Sequence, residues 1–445
     1  MAEATPTPFG HEMLQKHFLL DEKYNNLNHG SFGSTVRPVR DAMRRFQDAS
    51  EAAPDRYIRY EYPDLLDQSR AAAASYLNVP LDELVIVPNV STAVNAVLRN
   101  LKFEEGDVIV CLDVTYGSNL KTIEYIIETT PAEAVRVEFT LPCSDSDILT
   151  AFRDTIVAQR GRAKLVMFDT VTSLPSVRLP FEEMASIARE HGVMTFVDAA
   201  HGIGHLPLDI KALDPDFLSS NCHKWLYTPR GSAIFYVPLR NQPLIRSSLP
   251  TSQNFEPRPR PGVVPAPNPL PPSSKSNFVQ QFEFVGTVDN ASLLCVPAAL
   301  EFRRVVCGGE AAVMGYCWDL AKRGGLAAAR LLGTEVMDNE EGTLTRQCAM
   351  VSVRLPIEIR SAEKGTPGVS VEQAPKVQAW ICEALVRKHN TFIAMIWYKG
   401  RWWARFSAQI YLDESDFVWG AKVLKGLCEI IMTEGLVRAA ESKEN

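Results

Sequence analysis

The stretch Ser219-Ser220-Asn221-Cys222-His223-Lys224-Trp225 stands between two short apolar runs. The run Val193–Val197 precedes it and ends at Asp198, and the run Ala233–Val237 follows it. Both runs are bounded by turn residues and rich in β-branched and aromatic residues, which predicts two buried strands. Lys224 then lies in the loop that leads into the second strand. Asp198 lies at the carboxyl end of the first strand, where open α/β sheets bind ligands.

On these residues alone Lys224 has two interpretations. Most lysines are solvated on the protein surface, and a lysine at the rim of a sheet fits that description. The other interpretation is an amine that forms a Schiff base with a carbonyl cofactor. The position of the lysine between two strands does not decide between them.

The composition narrows the class of protein. The chain has 445 residues, of which 46% are apolar and 22% charged, as in ordinary globular proteins, and its length suggests two domains. The net charge of −7 argues against nucleic acid or an anionic membrane as the main partner. Nine scattered cysteines without a C-x-x-C pair indicate reduced thiols in a cytoplasmic protein, not a disulfide framework or a metal site. We see no secretory signal and no apolar run long enough for a transmembrane helix.

Predicted strands and helices alternate through the middle of the chain. This alternation implies a mostly parallel sheet with helices on both faces. The loops after the strands then meet at one rim, and they carry Ser91, Tyr116, Thr172, Asp198 and Lys224. Ser91 and its neighbour Thr92 also come near a helix N-terminus, which suits either an ordinary helix cap or a phosphate. The strands are predicted at 84–88, 107–112, 135–139, 164–169, 193–198 and 233–237.

Three parts follow from the whole pattern: an arm at 1–30, a large domain at 31–290 and a small α+β domain at 291–445. The arm holds one short helix near His11–Leu19, followed by a glycine-punctuated loop at Leu27–Ser34. Residues 250–272 contain nine prolines, which predicts an extended segment: a linker, a partner-binding loop or, as its position favours, a loop over the site. The small domain is predicted to have strands at 350–355, 391–397 and 402–411, and helices at 290–306, 309–333, 373–389 and 414–435.

Two motifs carry a resemblance to a known family. Val197-Asp198-Ala199-Ala200-His201-Gly202, followed by His223-Lys224-Trp225, resembles the class V aminotransferase branch of the fold-type I pyridoxal-phosphate enzymes. Leu27-Asn28-His29-Gly30-Ser31-Phe32-Gly33 is similar to the subgroup of isopenicillin N epimerase-like proteins and ergothioneine-synthesis carbon–sulfur lyases. The resemblance runs from Asn28 to about Tyr411. It implies a large domain with a mostly parallel seven-stranded sheet, a smaller α+β domain, and pyridoxal 5′-phosphate as cofactor.

The resemblance assigns a role to each residue at the cofactor. Lys224 holds pyridoxal phosphate as a Schiff base and later moves the α-proton of the substrate. Asp198 pairs with the pyridinium nitrogen, Tyr116 stacks on the ring, and His201 contacts the 3-hydroxyl. The remaining cofactor contacts that we expect, most of them at the phosphate, are Ser91, Thr92, Thr172, His223 and Thr287.

The resemblance also implies a homodimer and an amino-acid substrate. Gly286-Thr287 matches the pair that reaches the phosphate of the neighbouring subunit, so the two active sites are shared. Arg405 matches the arginine that binds the α-carboxylate, for which its planar guanidinium is suited. Asn28 and His29 are expected to contact the same substrate.

Two departures from the family bear on the reaction. The segment from Lys388 to Arg405 has no cysteine, although cysteine desulfurases need a mobile nucleophilic cysteine there, so that activity is rejected. Asn221 replaces the serine that often contacts the phosphate in desulfurases. β-Elimination, epimerisation and transamination remain. Tyr116 is a hypothetical second acid that protonates the leaving group.

The aromatic stretch Trp397–Trp403 has two interpretations, as core of the small domain or as a wall of the substrate pocket. A pocket wall of this kind would attract a quaternary ammonium group, and the loop Tyr57–Tyr62 could contribute. The resemblance therefore points first to a lyase acting on a cysteine-conjugate sulfoxide of the hercynylcysteine type in ergothioneine biosynthesis. An epimerase of the isopenicillin N type comes second. A non-catalytic dimeric scaffold would not need Asp198, Lys224 and Arg405 together.

Overall fold

A computed structural model of the chain describes residues 6–262, 264, 266–361 and 369–441, with side chains to Gly435. Sixteen α-helices and ten strands are present in this part of the chain. The helices are α1 His11–His17, α2 His29–Phe32, α3 Arg37–Ala52, α4 Pro54–Arg56, α5 Tyr62–Leu77, α6 Val90–Asn100, α7 Gly117–Thr129, α8 Asp145–Ala158, α9 Phe181–Glu190, α10 Ile210–Leu213, α11 Cys222–Trp225, α12 Asn277–Glu283, α13 Val296–Val305, α14 Glu310–Leu332, α15 Ala374–His389 and α16 Glu414–Glu441, the last broken at Gly435. The strands are β1 Leu84–Val87, β2 Val108–Leu112, β3 Glu133–Val137, β4 Ala163–Asp169, β5 Met194–Asp198, β6 Phe217–Asn221, β7 Ala233–Tyr236, β8 Met350–Arg354, β9 Ala394–Tyr398 and β10 Arg401–Ser407.

The large sheet has seven strands in the order β1-β7-β6-β5-β4-β2-β3. Strands β2 to β6 pair in parallel, and β7 runs antiparallel to both β6 and β1. Alternate residues enter two separate cores: Val108 and Val110 face one, Ile109 and Cys111 the other. A strand covered on both faces reads as a continuous apolar run, which is why the sequence revealed these strands. The predicted mostly parallel sheet between helices is confirmed.

Strand β6 is the strand of this sheet that the sequence pattern did not reveal. Its residues Ser219 and Ser220 are fully buried, whereas buried strands are usually apolar. Their hydroxyls donate to the carbonyls of Ile234 and Ala199, so the polar groups are satisfied inside the sheet. Lys224 is consequently not in a loop: it sits on the one-turn helix α11, directly after the strand.

Two further loops of the sequence prediction are helical. The predicted loop Leu27–Ser34 contains the one-turn helix α2, and Tyr57–Glu61 forms a π-helical turn that joins α4 to α5. In this turn Tyr57 is buried, so its ring packs in the core instead of facing a ligand. Strand β3 ends at Val137, where its parallel partner β2 ends, and not at residue 139 as predicted. Strand β9 begins at Ala394 and not at residue 391, and β10 ends at Ser407 and not at residue 411.

The proline-rich segment has no helix or strand among its described residues, as expected; Val263 and Pro265 lie outside them. Its described residues do not line the cavity that contains Lys224. Its Pro269 carbonyl accepts a hydrogen bond from Arg59, and Leu270 and Pro271 line a cavity with Ile58 and residues of α12. The segment therefore lies against the π-helical turn.

The second sheet is antiparallel, in the order β8-β10-β9, and helices α14 to α16 pack beside it. The central strand β10 pairs Arg405 with Ser352 on one side and Ala394 on the other. Helix α13 packs on α3 and α5 of the large part of the chain, and also on α14, the last helix before this sheet. The arrangement presents Arg405 to the edge of the large sheet where β4 and β5 end.

Candidate active site

A cavity of about 230 Å³ lies at the carboxyl ends of β4, β5 and β6. It brings together residues that are far apart in the sequence, as the rim of an α/β sheet does. Six of the residues predicted for the site line it, and so do neighbours that the sequence did not single out. The lining is Ser31, Phe32, Asn89, Val90, Ser91, Tyr116, Asn119, Asp169, Ser173, Asp198, Ala200, His201, Asn221, His223 and Lys224.

Lys224 points its amine into this cavity. Its Nζ lies 3.2 Å from Nε2 of His201. Burial lowers the pKa of Lys224 to about 8, against the opposing attraction of Asp198, and Arg405 lowers it further. A lysine of this kind is partly neutral near physiological pH, and the neutral form can act as a nucleophile or a base.

The backbone around Lys224 is held by the opening motif of the chain. Nε2–H of the buried His29 donates to the carbonyl of Lys224, and the Tyr411 hydroxyl donates to Nδ1 of the same ring. Gly33 passes so close that a Cβ there would lie 1.7 Å from the carbonyl oxygen of His223, and its φ is +63°. No other residue fits this position without displacing the turn that carries the lysine.

The pKa of Lys224 predicts how cofactor-free protein captures an aldehyde cofactor. Only the neutral amine attacks a carbonyl, so the rate constant of capture should rise with pH and level off above about 8. Stopped-flow absorbance with pyridoxal phosphate, buffered between pH 6 and 9.5, measures the profile. A rate that is still rising steeply at pH 9.5 would place the amine in an ordinary solvated environment.

Two aspartates stand side by side on the floor of the cavity. Asp169 and Asp198 are register partners at the ends of β4 and β5. Asp198 accepts from Asn119 Nδ2 at 2.6 Å and from the Ala200 amide at 2.8 Å. Burial raises the pKa of both carboxyls, and the neighbouring Asp198 raises that of Asp169 further. Because Asp198 has the two donors, we assign it the charged form and Asp169 the protonated form.

The phosphate region contains part of the predicted set. Ser91 lies in the first turn of α6, where a helix N-terminus favours an anion, and His223 and Asn221 face it across the cavity. The Thr92 hydroxyl donates instead to the capping residue Asn89, so it serves the helix end. Burial lowers the pKa of His223 to about 4, and an anion beside it would oppose that shift.

Arg405 is a buried cation without an anionic partner. It is 1% exposed, and no described carboxylate lies within ion-pair distance of it. Its guanidinium donates to the Ser173 carbonyl at 3.0 Å, to Asn28 Oδ1 at 2.6 Å and to Ser31 Oγ at 2.6 Å, while its Nε has no partner. Burial lowers its pKa to about 10. An uncompensated guanidinium of this kind favours a carboxylate ligand.

Several predicted residues lie elsewhere. His29 has both ring nitrogens bonded inside the protein, so its position does not agree with a substrate contact. The Thr172 hydroxyl donates to the Pro175 carbonyl, which closes its own turn and leaves Ser173 to face the cavity. Thr287 is exposed, away from the Lys224 cavity of its own chain. In the aromatic stretch Trp397–Trp403, for which core and pocket wall were both open, Trp402 and Trp403 are buried in the small-domain core.

Asn119, Asp169, Ser31 and Ser173 are the site residues that sequence reasoning missed. Each lies within four residues of a position that was singled out, in the same predicted loop or strand end. The sequence therefore indicated these residues indirectly, because they lie in segments already predicted to meet at the rim of the sheet. The choice between Thr172 and Ser173 needed the direction of the side chain, which a loop sequence does not contain.

A buried arginine, Arg303, supports the backbone next to the one-turn helix α11, which carries Lys224. Arg303 is fully buried, pairs with Glu310, and donates to the carbonyls of Trp225 at 2.8 Å and Gly204 at 3.0 Å. Arg303→Met removes one partner of the pair and leaves both carbonyls unpaired, so we expect a loss of about 3 kcal/mol in the free energy of unfolding. Urea denaturation measures it.

The neighbouring Arg304 provides the comparison. Its side chain is 71% exposed and pairs with Glu301 on the surface. Arg304→Met should change the free energy of unfolding by less than about 0.5 kcal/mol. Equal losses in the two variants would contradict the assigned role of Arg303.

The residues of the cavity fit pyridoxal 5′-phosphate. Lys224 would hold its aldehyde carbon, Asp198 its ring nitrogen, and Ser91 and His223 its phosphate. The guanidinium of Arg405, which has no carboxylate partner among the described residues and an unpaired Nε, would bind the carboxylate of an amino acid. Once bound, the cofactor supplies an electron sink that stabilises negative charge at the α-carbon of an amino acid. No helix in the described ranges is long and apolar enough to cross a membrane.

Comparison with known proteins agrees with this geometry. The profile of the family described as aminotransferase class-V matches residues 33–256. L-cysteine desulfhydrase-like protein lolT1 of Epichloe uncinata is 38% identical, covering 96% of this chain and 97% of the relative. The hercynylcysteine sulfoxide lyase of Schizosaccharomyces pombe is 26% identical, covering 95% and 98%. The solved complex of a cystine C–S lyase with cysteine persulfide has a TM-score of 0.71 at 18% identity, covering 91% and 98%. By its sequence and its fold, the chain belongs to the class V aminotransferase family, whose cofactor is pyridoxal phosphate.

Proposed function

We propose that this protein is a pyridoxal-phosphate-dependent carbon–sulfur lyase that cleaves the Cβ–S bond of a cysteine derivative. The observation that carries the proposal is the cavity in which Lys224 faces Asp198 and His201 beside the uncompensated Arg405. The names of the two relatives, a desulfhydrase-like protein and a sulfoxide lyase, support this class of reaction. Elimination releases the sulfur group and aminoacrylate, which water converts to pyruvate and ammonia.

The protein side chains divide the work of the elimination. Arg405 binds the α-carboxylate and so fixes the orientation of the α-carbon. Lys224 removes the α-proton, for which a neutral amine is needed. Tyr116 lies at the mouth of the cavity with its side chain partly exposed, and we propose that its hydroxyl protonates the departing sulfur.

Within this class we propose a cysteine-conjugate sulfoxide of the hercynylcysteine type, as used in ergothioneine biosynthesis. Support comes from the lyase of S. pombe, which matches along nearly its whole length. The buried position of Trp402 and Trp403 removes the aromatic wall as an argument for this substrate. Phe32 and Tyr116, which are exposed at the cavity, are the aromatic side chains left to contact the S-substituent.

We also propose a homodimer with shared sites in the cytoplasm. Thr287 and its neighbour Val288 are exposed at the end of a turn, as a segment that reaches a second subunit would be. All nine cysteines are free thiols, which suits a reducing compartment. Light scattering of the purified protein measures the mass of the assembly.

A substrate panel tests the proposed reaction. Cofactor-loaded protein is incubated separately with hercynylcysteine sulfoxide, an S-alkyl cysteine sulfoxide and L-cysteine, and pyruvate is measured together with the chirality of the remaining amino acid. Pyruvate with the highest kcat/KM for hercynylcysteine sulfoxide supports the full proposal. Pyruvate mainly from L-cysteine supports the lyase and overturns the sulfoxide substrate. Inversion without pyruvate would identify an epimerase.

Tyr116→Phe tests the proton donor. General acid catalysis contributes about 100-fold or more, so turnover should fall by about that factor while the visible absorbance of the bound cofactor remains. A substrate with a better leaving group, such as an S-aryl cysteine, should lose less. Tyr125→Phe is the matched control, because Tyr125 is a comparably exposed tyrosine on α7, the helix that begins directly after Tyr116, and its ring contacts Arg99 instead of the cavity. Undiminished turnover in Tyr116→Phe would exclude the role.

A further inference from the structure

His201 lies between Trp225 and Lys224, with a hydrogen bond to each. The indole Nε1 of Trp225 is 3.1 Å from Nδ1 of His201, and Nε2 of His201 is 3.2 Å from Nζ of Lys224. Both Trp225 and His201 are 2% exposed, so water does not compete for these contacts. The three side chains form a chain of hydrogen bonds that ends at the reactive amine.

The chemistry of the donors determines the direction of this chain. An indole N–H can only donate, so Nδ1 of His201 must accept and carries no proton. A neutral imidazole with a bare Nδ1 has its proton on Nε2. That Nε2–H donates to Nζ of Lys224, and an amine can accept it only if it has a free electron pair. A protonated lysine would place two donors face to face.

We propose that Trp225 is a positioning residue that holds His201 in the Nε2–H tautomer, which makes His201 a permanent hydrogen-bond donor to Lys224 and stabilises the neutral lysine. Trp225 thus acts on the reactive nitrogen through the histidine, without touching it by its ring. The inference concerns the protein's own side chains and does not depend on which substrate is used.

The surroundings hold Trp225 in this role. Its ring stacks on His205 with centroids 4.4 Å apart and 26° between the planes, and its carbonyl accepts from Arg303. His205 has no freedom to rotate, because its Nδ1–H donates to the His201 carbonyl and its Nε2 accepts from the Ala349 amide. The indole N–H is therefore aimed at His201 by the stack on His205 and by the fixed backbone of Trp225.

The electrostatics of the cavity agree with a neutral His201 beside a neutral Lys224. Burial lowers the pKa of His201 well below its usual value, and Lys224 and Arg405 lower it further. Burial likewise lowers the pKa of Lys224. The other ionisable groups that face Lys224 are Asp198 on β5, Asp169 on β4 and Arg405 on β10. They are the same in any variant of Trp225, so a comparison of variants isolates the hydrogen-bond chain.

The experiment measures the reactivity of the Lys224 amine as a function of pH, and it does not measure turnover. Trp225→Phe keeps an aromatic ring on His205 but removes the N–H, so His201 can adopt the Nδ1–H tautomer and accept from a protonated Lys224. Cofactor-free protein is reductively methylated with formaldehyde in brief pulses between pH 6 and 10. Mass spectrometry then quantifies the fraction of Lys224 that is methylated at each pH. We expect the midpoint of the pH profile to rise. At pH 7 the rate relative to its high-pH plateau should fall about fivefold, the effect of one neutral hydrogen bond.

The plateau and the midpoint separate two causes of a changed rate. A more open cavity raises the rate at every pH and leaves the midpoint unchanged, whereas a lost hydrogen bond moves the midpoint. Trp318→Phe is the matched control: Trp318 also donates its indole N–H to this region, but to the His205 carbonyl at 3.0 Å. It should leave the Lys224 profile unchanged.

A second variant covers the case in which Trp225→Phe does not fold. A benzothienylalanine at position 225, introduced by an expanded genetic code, keeps the bicyclic ring and replaces N–H by sulfur. It should move the midpoint as Trp225→Phe does. If the Lys224 profiles of the wild type and of a folded N–H-free variant coincide, the proposal is overturned.

Discussion

Replacement of Lys224 by alanine should abolish turnover, with a loss of at least about 10⁴-fold. The variant lacks both the amine that holds the cofactor and the base that removes the α-proton. Asp198, Ser91 and His223 remain, so pyridoxal phosphate should still bind, but without a covalent bond. Borohydride reduction followed by intact-mass measurement should add one cofactor to the wild type and none to the variant.

Lys211→Ala is the control for this experiment, because Lys211 is exposed on the short helix α10. It should keep both turnover and the mass increase. A Lys224→Ala protein that still gains the mass of one cofactor would show that another lysine holds it, and the assignment of the site would then be wrong.

Replacement of Arg405 by lysine should lower kcat/KM by about 100-fold or more, chiefly through KM. The positive charge is kept, but a compact ammonium cannot bind a carboxylate bidentately while it replaces the contacts to Asn28, Ser31 and Ser173. Steady-state kinetics with the best substrate of the panel measure the effect. The spectrum of the bound cofactor should not change.

Two comparisons make the Arg405 result specific. Arg401 lies four residues earlier on the same strand, is 59% exposed and pairs with Glu335 on the surface, so Arg401→Lys should leave kcat/KM within about twofold. An S-substituted cysteamine has no carboxylate and should bind wild type and Arg405→Lys with the same Kd. If Arg405→Lys weakened the binding of this ligand as much as it weakened the binding of the substrate, Arg405 would support the shape of the cavity and would not bind the carboxylate.

Much of the architecture followed from local patterns. The strands around Val108, Leu165 and Phe196 are apolar on both faces, so each appeared in the sequence as a continuous run. Their order of alternation with helices implied a parallel sheet and a rim. The sequence pattern did not predict strand β6, because its buried serine hydroxyls are hydrogen-bonded to carbonyls of neighbouring segments. That arrangement exists only after the sheet has formed.

The sequence predicted the chemistry of the candidate site, but it predicted only some of the residues that form the site. Lys224, Asp198, His201 and Tyr116 were recognised by motif and line the cavity. His29 was expected to touch the substrate and instead holds the carbonyl of Lys224, because its ring turns inward. The aromatic residues Trp402 and Trp403 were open to two interpretations, and burial decided for the core.

The sequence by itself determined which residues can carry the chemistry: a lysine in a loop that leads into a strand, an aspartate at a strand end, and an arginine far along the chain. These assignments rest on the resemblance of the motifs to the class V family, because local pattern alone left Lys224 with two interpretations. Only the tertiary structure decided that Arg405 is buried without a counter-ion, that Asp169 stands beside Asp198, and that Trp225 reaches Lys224 through His201. The reason is physical, since desolvation, hydrogen-bond direction and the pairing of charges depend on which segments pack together.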